Sequence, residues 1–357
     1  MSLKILFCLK KAVTSGGNYS EQGSSKSGLL NSARFVSNAL KHFLKIESEI
    51  KIVVDGNGID REISLYNPDI IILEALWVTP AKLDELMTLY PRKKFIVRIH
   101  SKTPFLATEG IACQWLFEIN FLASMGYDVS IGFNSKETCD EFKKMGIECA
   151  VYLPNFYFPE VSPHPSNKPN QFDADPCFNQ LNTVHISCFG ATRPMKNQFI
   201  QAIAAIEYAN KFKKKLCLHI NSTRIEQEGG QPLKNIRALF KNNPQHELKE
   251  WSWLDHESFL ELTAKMDCCL QVSLSESMNI CTADAVYQGI PVVVSKDMQW
   301  LPNYDRVATG SAKVIAQKIR EVLRWKRQIT RLNKLFLFRF NLQSLFAWKR
   351  LINEQTF

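Results

Sequence analysis

Short apolar runs recur along the chain, each separated from the next by a stretch of helical periodicity, and this alternation limits the fold more than any other feature. In the first half Lys4–Leu9, Ile50–Val54, Ile70–Leu73, Phe95–Ile99, Val129–Phe133 and Ala150–Leu153 read as strands. Gly28–Leu44, Pro80–Leu89, Ile111–Met125 and Lys136–Met145 read as helices. Strands separated by helices of this length predict an α/β protein with a doubly wound parallel sheet. Ligands of such sheets bind beyond the carboxyl ends of the strands, so function is expected in the loops that follow strands. Residues Pro159 to Leu181 break the rhythm. Their segment Pro163-His164-Pro165-Ser166-Asn167-Lys168-Pro169-Asn170 has turn chemistry and no apolar period. A second alternation then runs through His185–Phe189, Leu216–Ile220, Leu248–Trp251, Cys268–Val272 and Val292–Ser295.

At 357 residues the chain is long enough for two domains of ordinary size. Hydrophobic residues make up 45% and charged residues 22%, a globular composition. No apolar run approaches the ~20 residues of a membrane span. The start lacks the charged leader and small-residue cleavage site of a signal peptide. Ten scattered cysteines without a CxxC pair suggest neither a zinc site nor a disulfide framework, and a cytoplasmic location is expected. From Leu301 to Phe357 there are 12 Lys/Arg against 3 Asp/Glu, so this stretch carries the whole net charge of +9. It implies an anionic partner (nucleic acid, a membrane surface or a charged acceptor) or else a solvated helical face. Within it, Leu332 to Ile352 interleaves large apolar residues with Lys334, Arg339, Lys349 and Arg350. Core packing is the favoured reading, and peripheral membrane contact the lesser one.

The chemistry concentrates in two turns. In the first, the strand Cys268–Val272 leads into Ser273-Leu274-Ser275-Glu276-Ser277-Met278-Asn279, and a helix starting near Asn279 carries Asp284 and stops at Gly289. Two acids eight apart flank a helix start whose first-turn N–H groups, from Asn279 through Ile280 and Cys281 to Thr282, suit a phosphate between sugar hydroxyls. An ordinary strand–loop–helix–strand unit explains Gly289-Ile290-Pro291 as well, but not the polar Ser-x-Ser-Glu-Ser-x-Asn ahead of the helix. In the second turn, strand His185–Phe189 ends in Gly190-Ala191-Thr192-Arg193-Pro194-Met195-Lys196-Asn197. Two cations three apart, at a helix start that by itself repels positive charge, point to a diphosphate.

These turns resemble the nucleotide-sugar site of GT-B glycosyltransferases, especially the large retaining family 4. Its members carry two glutamates separated by seven residues, a small-residue helix ending in Gly-x-Pro-Val-Val, and a Gly-Arg…Lys turn. Here Asp284 replaces the second glutamate, and Arg193 stands three residues beyond Gly190 rather than next to it. The resemblance implies two Rossmann-like domains with parallel sheets facing across an interdomain cleft. Residues 1–160 would form the first, 161–182 the linker and 183–339 the second, with a final helix at 340–357 returning to the first. It implies a nucleotide-diphosphate sugar donor, UDP-sugar foremost, with no cofactor or metal required. Arg193 and Lys196 would hold the diphosphate, Glu276 the sugar hydroxyls, and Asp284 the ribose, with Trp253 near the base. His100, just past the strand Phe95–Ile99, would touch the transferred sugar, although a lone histidine is often structural. Gly16 and Gly17 would let a loop approach a phosphate or the acceptor. Leu153-Pro154-Asn155 resembles the family's Pro-Asn fold marker. Asp173-Ala174-Asp175 matches a metal-binding DxD, but lies in the linker rather than at a strand end. The favoured acceptor is a hydroxylated or hydroxymethylated base in DNA, reached through the basic C-terminal segment. A saccharide or lipid-linked acceptor, and a sugar-nucleotide-binding protein without turnover, are the alternatives.

Overall fold

The computed structural model describes residues 3–11, 28–160, 162–163 and 169–354. They form two compact units, Met1–Pro159 with Asn341–Phe357, and Glu160–Phe340. In unit 1 the order is β1 (Lys4–Lys10), α1 (Gly28–Ala39), β2 (Glu47–Val53), α2 (Gly58–Tyr66), β3 (Ile70–Glu74), α3 (Pro80–Leu89), β4 (Lys94–Ile99), α4 (Ala112–Ser124), β5 (Val129–Phe133), α5 (Lys136–Lys144) and β6 (Ala150–Tyr152). The sheet runs β2-β1-β3-β4-β5-β6 with every pair parallel. Its middle strands are buried along their whole length, which is why they read as unbroken apolar runs. The edge strand β2 alternates charge with Ile50 and Ile52 and begins at Glu47, three residues before the apolar run does.

Unit 2 repeats the plan with β7 (Thr183–Cys188), α6 (Gln198–Lys211), β8 (Lys215–Asn221), α7 (Gly230–Lys241), β9 (Glu247–Trp251), α8 (His256–Ala264), β10 (Cys268–Gln271), α9 (Ile280–Gln288), β11 (Val292–Ser295), β12 (Arg306–Val307), α10 (Ala312–Arg324) and α11 (Lys326–Asn353). Its strand order, β12-β11-β10-β7-β8-β9, is again all parallel. Beyond Phe340, α11 belongs to unit 1. There Trp348 is fully buried against Phe7, and its Nε1 donates to the Pro154 carbonyl at 2.8 Å. Ser344 Oγ donates to the Asn155 carbonyl and Asn341 exchanges two bonds with Tyr157. The Pro154–Asn155 segment is thus clasped by the last helix.

One buried stack in unit 2 is expected to make stability respond to acid. His219 on β8 lies parallel to Phe178 and to Trp251, and Trp251 Nε1 donates to its Nδ1 at 3.0 Å. Its Nε2 meets His185 Nδ1 at 3.1 Å, so both ring nitrogens are engaged, with Cys177 and Cys217 close by. Burial, helped by His185 and Lys249, pushes the His219 pKa down to about 3 from 6.5. Below pH 6.5 the unfolded chain binds a proton that the folded one refuses, so this contribution falls as pH drops from 6.5 towards 3. Urea titrations of the wild type should show a steep acid limb in that window, and His219→Asn should flatten it. An identical limb in the variant would remove His219 as the cause.

Candidate active site

The site in unit 2 begins with a backbone constraint. Gly190 has φ +115°, a conformation that side-chain-bearing residues rarely adopt, and its N–H donates to Asn221 Oδ1 at 3.0 Å. The turn it permits swings the chain back over the end of β7. A Cβ added at Gly190 would find Lys196 Cε at 3.8 Å and Cys281 Sγ at 4.0 Å, so the turn, the lysine and the head of α9 lie side by side.

Lys196 Nζ meets Glu276 Oε2 at 2.5 Å, with side chains only 10% and 12% exposed. Asn279 Nδ2 donates to the same Glu276 oxygen at 3.0 Å and to Gln271 Oε1 at 2.8 Å. Gln271, the last residue of β10, in turn donates to the Phe189 carbonyl, tying the two strand ends together. Burial would raise the Glu276 pKa. Lys196 outweighs it with help from Arg193 and Asn279, and holds the carboxyl below its usual range. Asn279, with φ 57°, caps α9, its Oδ1 accepting from Thr282 N at 2.9 Å. The Thr282 N–H is therefore already taken, whereas those of Ile280 and Cys281, at the first helical positions, precede any intrahelical acceptor. The Cys281 thiol is pushed well up, chiefly by burial and then by Asp284.

The other expected residues occupy distinct settings. Arg193 Nη1 pairs with Glu226 Oε2 at 3.1 Å, and Arg224 holds the other oxygen of that carboxylate. Asp284 is 1% exposed and its Oδ1 meets His256 Nε2, at the first position of α8, at 2.7 Å. Trp253 is half-buried, with the Arg224 guanidinium 4.8 Å from its ring centre. Asp173 pairs with Lys265 and Asp175 with Lys249, so the DxD carboxylates serve two ion pairs. Gly16 and Gly17 lie outside the described residues. Sequence reasoning misses Asn221, Glu226 and His256, which bond residues of these turns from distant segments, and Gln271, which accepts from Asn279 eight residues away.

His100, in unit 1, follows β4 and is 18% exposed. Its Nε2 meets Glu74 Oε2 at 2.5 Å, and Arg98 Nη1 reaches both oxygens of that carboxylate, at 2.9 and 3.2 Å. Arg98 also donates to Asn155 Oδ1 and the Leu153 carbonyl, while Trp348 covers its guanidinium at 5.4 Å. Burial lowers the His100 pKa against the opposing pull of Glu74.

No family model and no curated protein sequence matches the chain. Solved structures do. HepE of Anabaena in complex with UDP is 15% identical, with a TM-score of 0.65 over 99% of this chain and 100% of that one. The same protein in complex with UDP-glucose gives 15% and 0.65, over 98% and 100%. An α,α-trehalose 6-phosphate synthase from Burkholderia multivorans gives 11% and 0.66, over 99% and 98%. The fold is GT-B. Identity this low carries the GT-B architecture to the chain and nothing finer.

Proposed function

We propose that the protein is a glycosyltransferase that moves a sugar from a nucleotide diphosphate, UDP first, to an acceptor hydroxyl. The observation that carries this reading is the Lys196–Glu276–Asn279 cluster at the head of α9, beside the Gly190 turn. One ammonium and two helix-start N–H groups make an anion site, and the adjoining carboxylate is an acceptor for sugar hydroxyls. HepE, with a similar fold over its whole length, was crystallised with UDP and glucose, which supports the same donor class here.

In this mechanism the acceptor oxygen attacks the anomeric carbon as the bond from that carbon to the diphosphate breaks. Lys196 and the Ile280 and Cys281 N–H groups stabilise the charge that grows on the departing phosphate. The acceptor enters on the face from which the diphosphate leaves, so a phosphate oxygen of the leaving group can take its proton and configuration is retained. Glu276 orients the sugar through its hydroxyls and Asp284, steadied by His256, lies towards the ribose. Arg193 adds positive charge, and His100 steadies the transferred sugar. The favoured acceptor is a hydroxylated or hydroxymethylated DNA base, with a saccharide or lipid-linked acceptor as the second choice. No metal is required.

A thermal-shift screen of nucleoside diphosphates and nucleotide sugars tests the donor reading. Ligand at about 100 times its Kd should stabilise the protein by roughly 2.7 kcal/mol. UDP-glucose should also be hydrolysed slowly without acceptor. Glu276→Ala should end that hydrolysis while UDP still raises the Tm. If no nucleoside diphosphate shifts the Tm and no donor is turned over, the reading fails. Binding without turnover would identify a sugar-nucleotide-binding protein instead.

A further inference from the structure

A basic groove lies on the α6–α10 face of unit 2. The helices α6 and α10 pack side by side, and a groove of about 350 Å³ follows one face of α10 against the last turn of α6. Lys211, Lys313, Arg320 and Arg324 line it together with Phe212 and Trp325. Two carboxylates share the lining, Glu207 and Glu321, and Glu321 is held by Lys318 at 2.5 Å. The Arg320 guanidinium sits 5.4 Å from the Phe212 ring and that of Arg324 5.5 Å from Trp325. Trp325 is 51% exposed, and the exposed Lys213 and Lys214 follow Phe212 in the chain.

Helix-end electrostatics explain part of this. Lys211 and Arg324 stand in last turns, where a cation complements the helix dipole. That argument does not reach Lys313 and Arg320, set along the same face of α10, nor a half-exposed tryptophan at its end. Guanidinium groups held over aromatic rings beside a row of cations make a stacking platform with phosphate contacts along it. A membrane-binding surface would present protruding apolar side chains, whereas this one is concave and studded with charge.

We infer that this groove binds a nucleic-acid strand, with an unpaired base stacked on Trp325 and backbone phosphates on Lys211, Lys313, Arg320 and Arg324. The inference deepens the DNA-acceptor reading and rests on it for its biological sense. The groove reaches from the last turn of α6 to Lys313, four residues beyond Thr309, whose carbonyl accepts from Asn197 next to Lys196 at 2.9 Å.

Fluorescence anisotropy with a labelled 20-nucleotide single strand and the matching duplex, over a salt series, tests it. The single strand should bind more tightly, with affinity falling linearly in log salt. The triple variant K313E/R320E/R324E should weaken binding at least about 100-fold and flatten the slope by about 2, the value for three lost single-strand contacts. Trp325→Ala should weaken it about tenfold, the size of one base–aromatic stack, without changing the slope. All these residues are on the surface, so the Tm and its shift by UDP should persist in every variant. Binding that the triple variant leaves intact would overturn the inference. So would a duplex preference indifferent to Trp325, or capture by anionic vesicles but not by oligonucleotide. Oligonucleotide binding without sugar transfer to DNA would instead refute the acceptor reading and leave the groove standing.

Discussion

Lys196→Ala should abolish nucleotide-sugar turnover and erase the Tm shift given by UDP. This ammonium is held by Glu276 at 2.5 Å and is 10% exposed, so it is desolvated and aimed at the head of α9. A donor diphosphate arriving there meets a charge that needs little reorganisation. Removing such a transition-state contact typically lowers kcat by about 10²–10³-fold. The variant should also be less stable, because Glu276 loses the cation that offsets its burial. Breaking one side of a buried pair costs roughly 3–5 kcal/mol. The wild-type carboxyl has a lowered pKa, so its stabilisation is present above pH 4.5 and is lost as pH falls through the folded value. In Lys196→Ala that contribution is gone. The double variant K196A/E276Q separates the two effects. It should recover most of the stability and none of the donor binding, a non-additivity expected of contacting residues. If Lys196→Ala kept the wild-type Tm shift by UDP, the diphosphate would have to be held elsewhere.

What the sequence could reveal followed from how each element is buried. Strands β3, β4 and β5 are covered on both faces, so their apolar runs are continuous and easily read. Helix α2 escaped notice because Asp60, Arg61 and Glu62 dilute its period, and Asn57 gives its start no side-chain cap. Strand β12 has two residues, too few to show any pattern. At the site, Lys196, Glu276 and Asn279 each sit in a turn that follows a strand, the place where parallel sheets put function. Their partners were hidden because they arrive from distant segments, as His256 does for Asp284 and Glu226 for Arg193. One such pairing did leave a mark. Glu74 and Arg98 are charged residues within the apolar runs of buried strands, and β3 and β4 pair with these two opposite each other.

That pairing carries the largest expected change in stability, for Arg98→Ala. Both side chains are fully buried, and the guanidinium bonds Glu74, Asn155 and the Leu153 carbonyl while Trp348 of the last helix covers it. Burial would raise the Glu74 pKa, but Arg98 and then His100 outweigh it and keep the carboxylate ionised. Without Arg98, an uncompensated charge remains in the core, at a cost of about 3–5 kcal/mol. The Glu74 pKa should then lie above its usual range. A group with a raised folded pKa stabilises below its unfolded pKa of 4.5 and loses that contribution as pH rises. The deficit of Arg98→Ala, measured by urea denaturation, should therefore grow from pH 5 to pH 8. His100 should lose its fixed orientation too, because the carboxylate that holds its Nε2 is itself held by Arg98. Sugar transfer should fall while UDP binding to unit 2 stays at the wild-type level. The charge-free pair E74Q/R98M should recover most of the stability, since the penalty belongs to the orphaned charge and not to the lost attraction. A deficit below about 1 kcal/mol, the range of an exposed ion pair, or one independent of pH, would mean that water reaches Glu74 and that the network does not hold His100 in place.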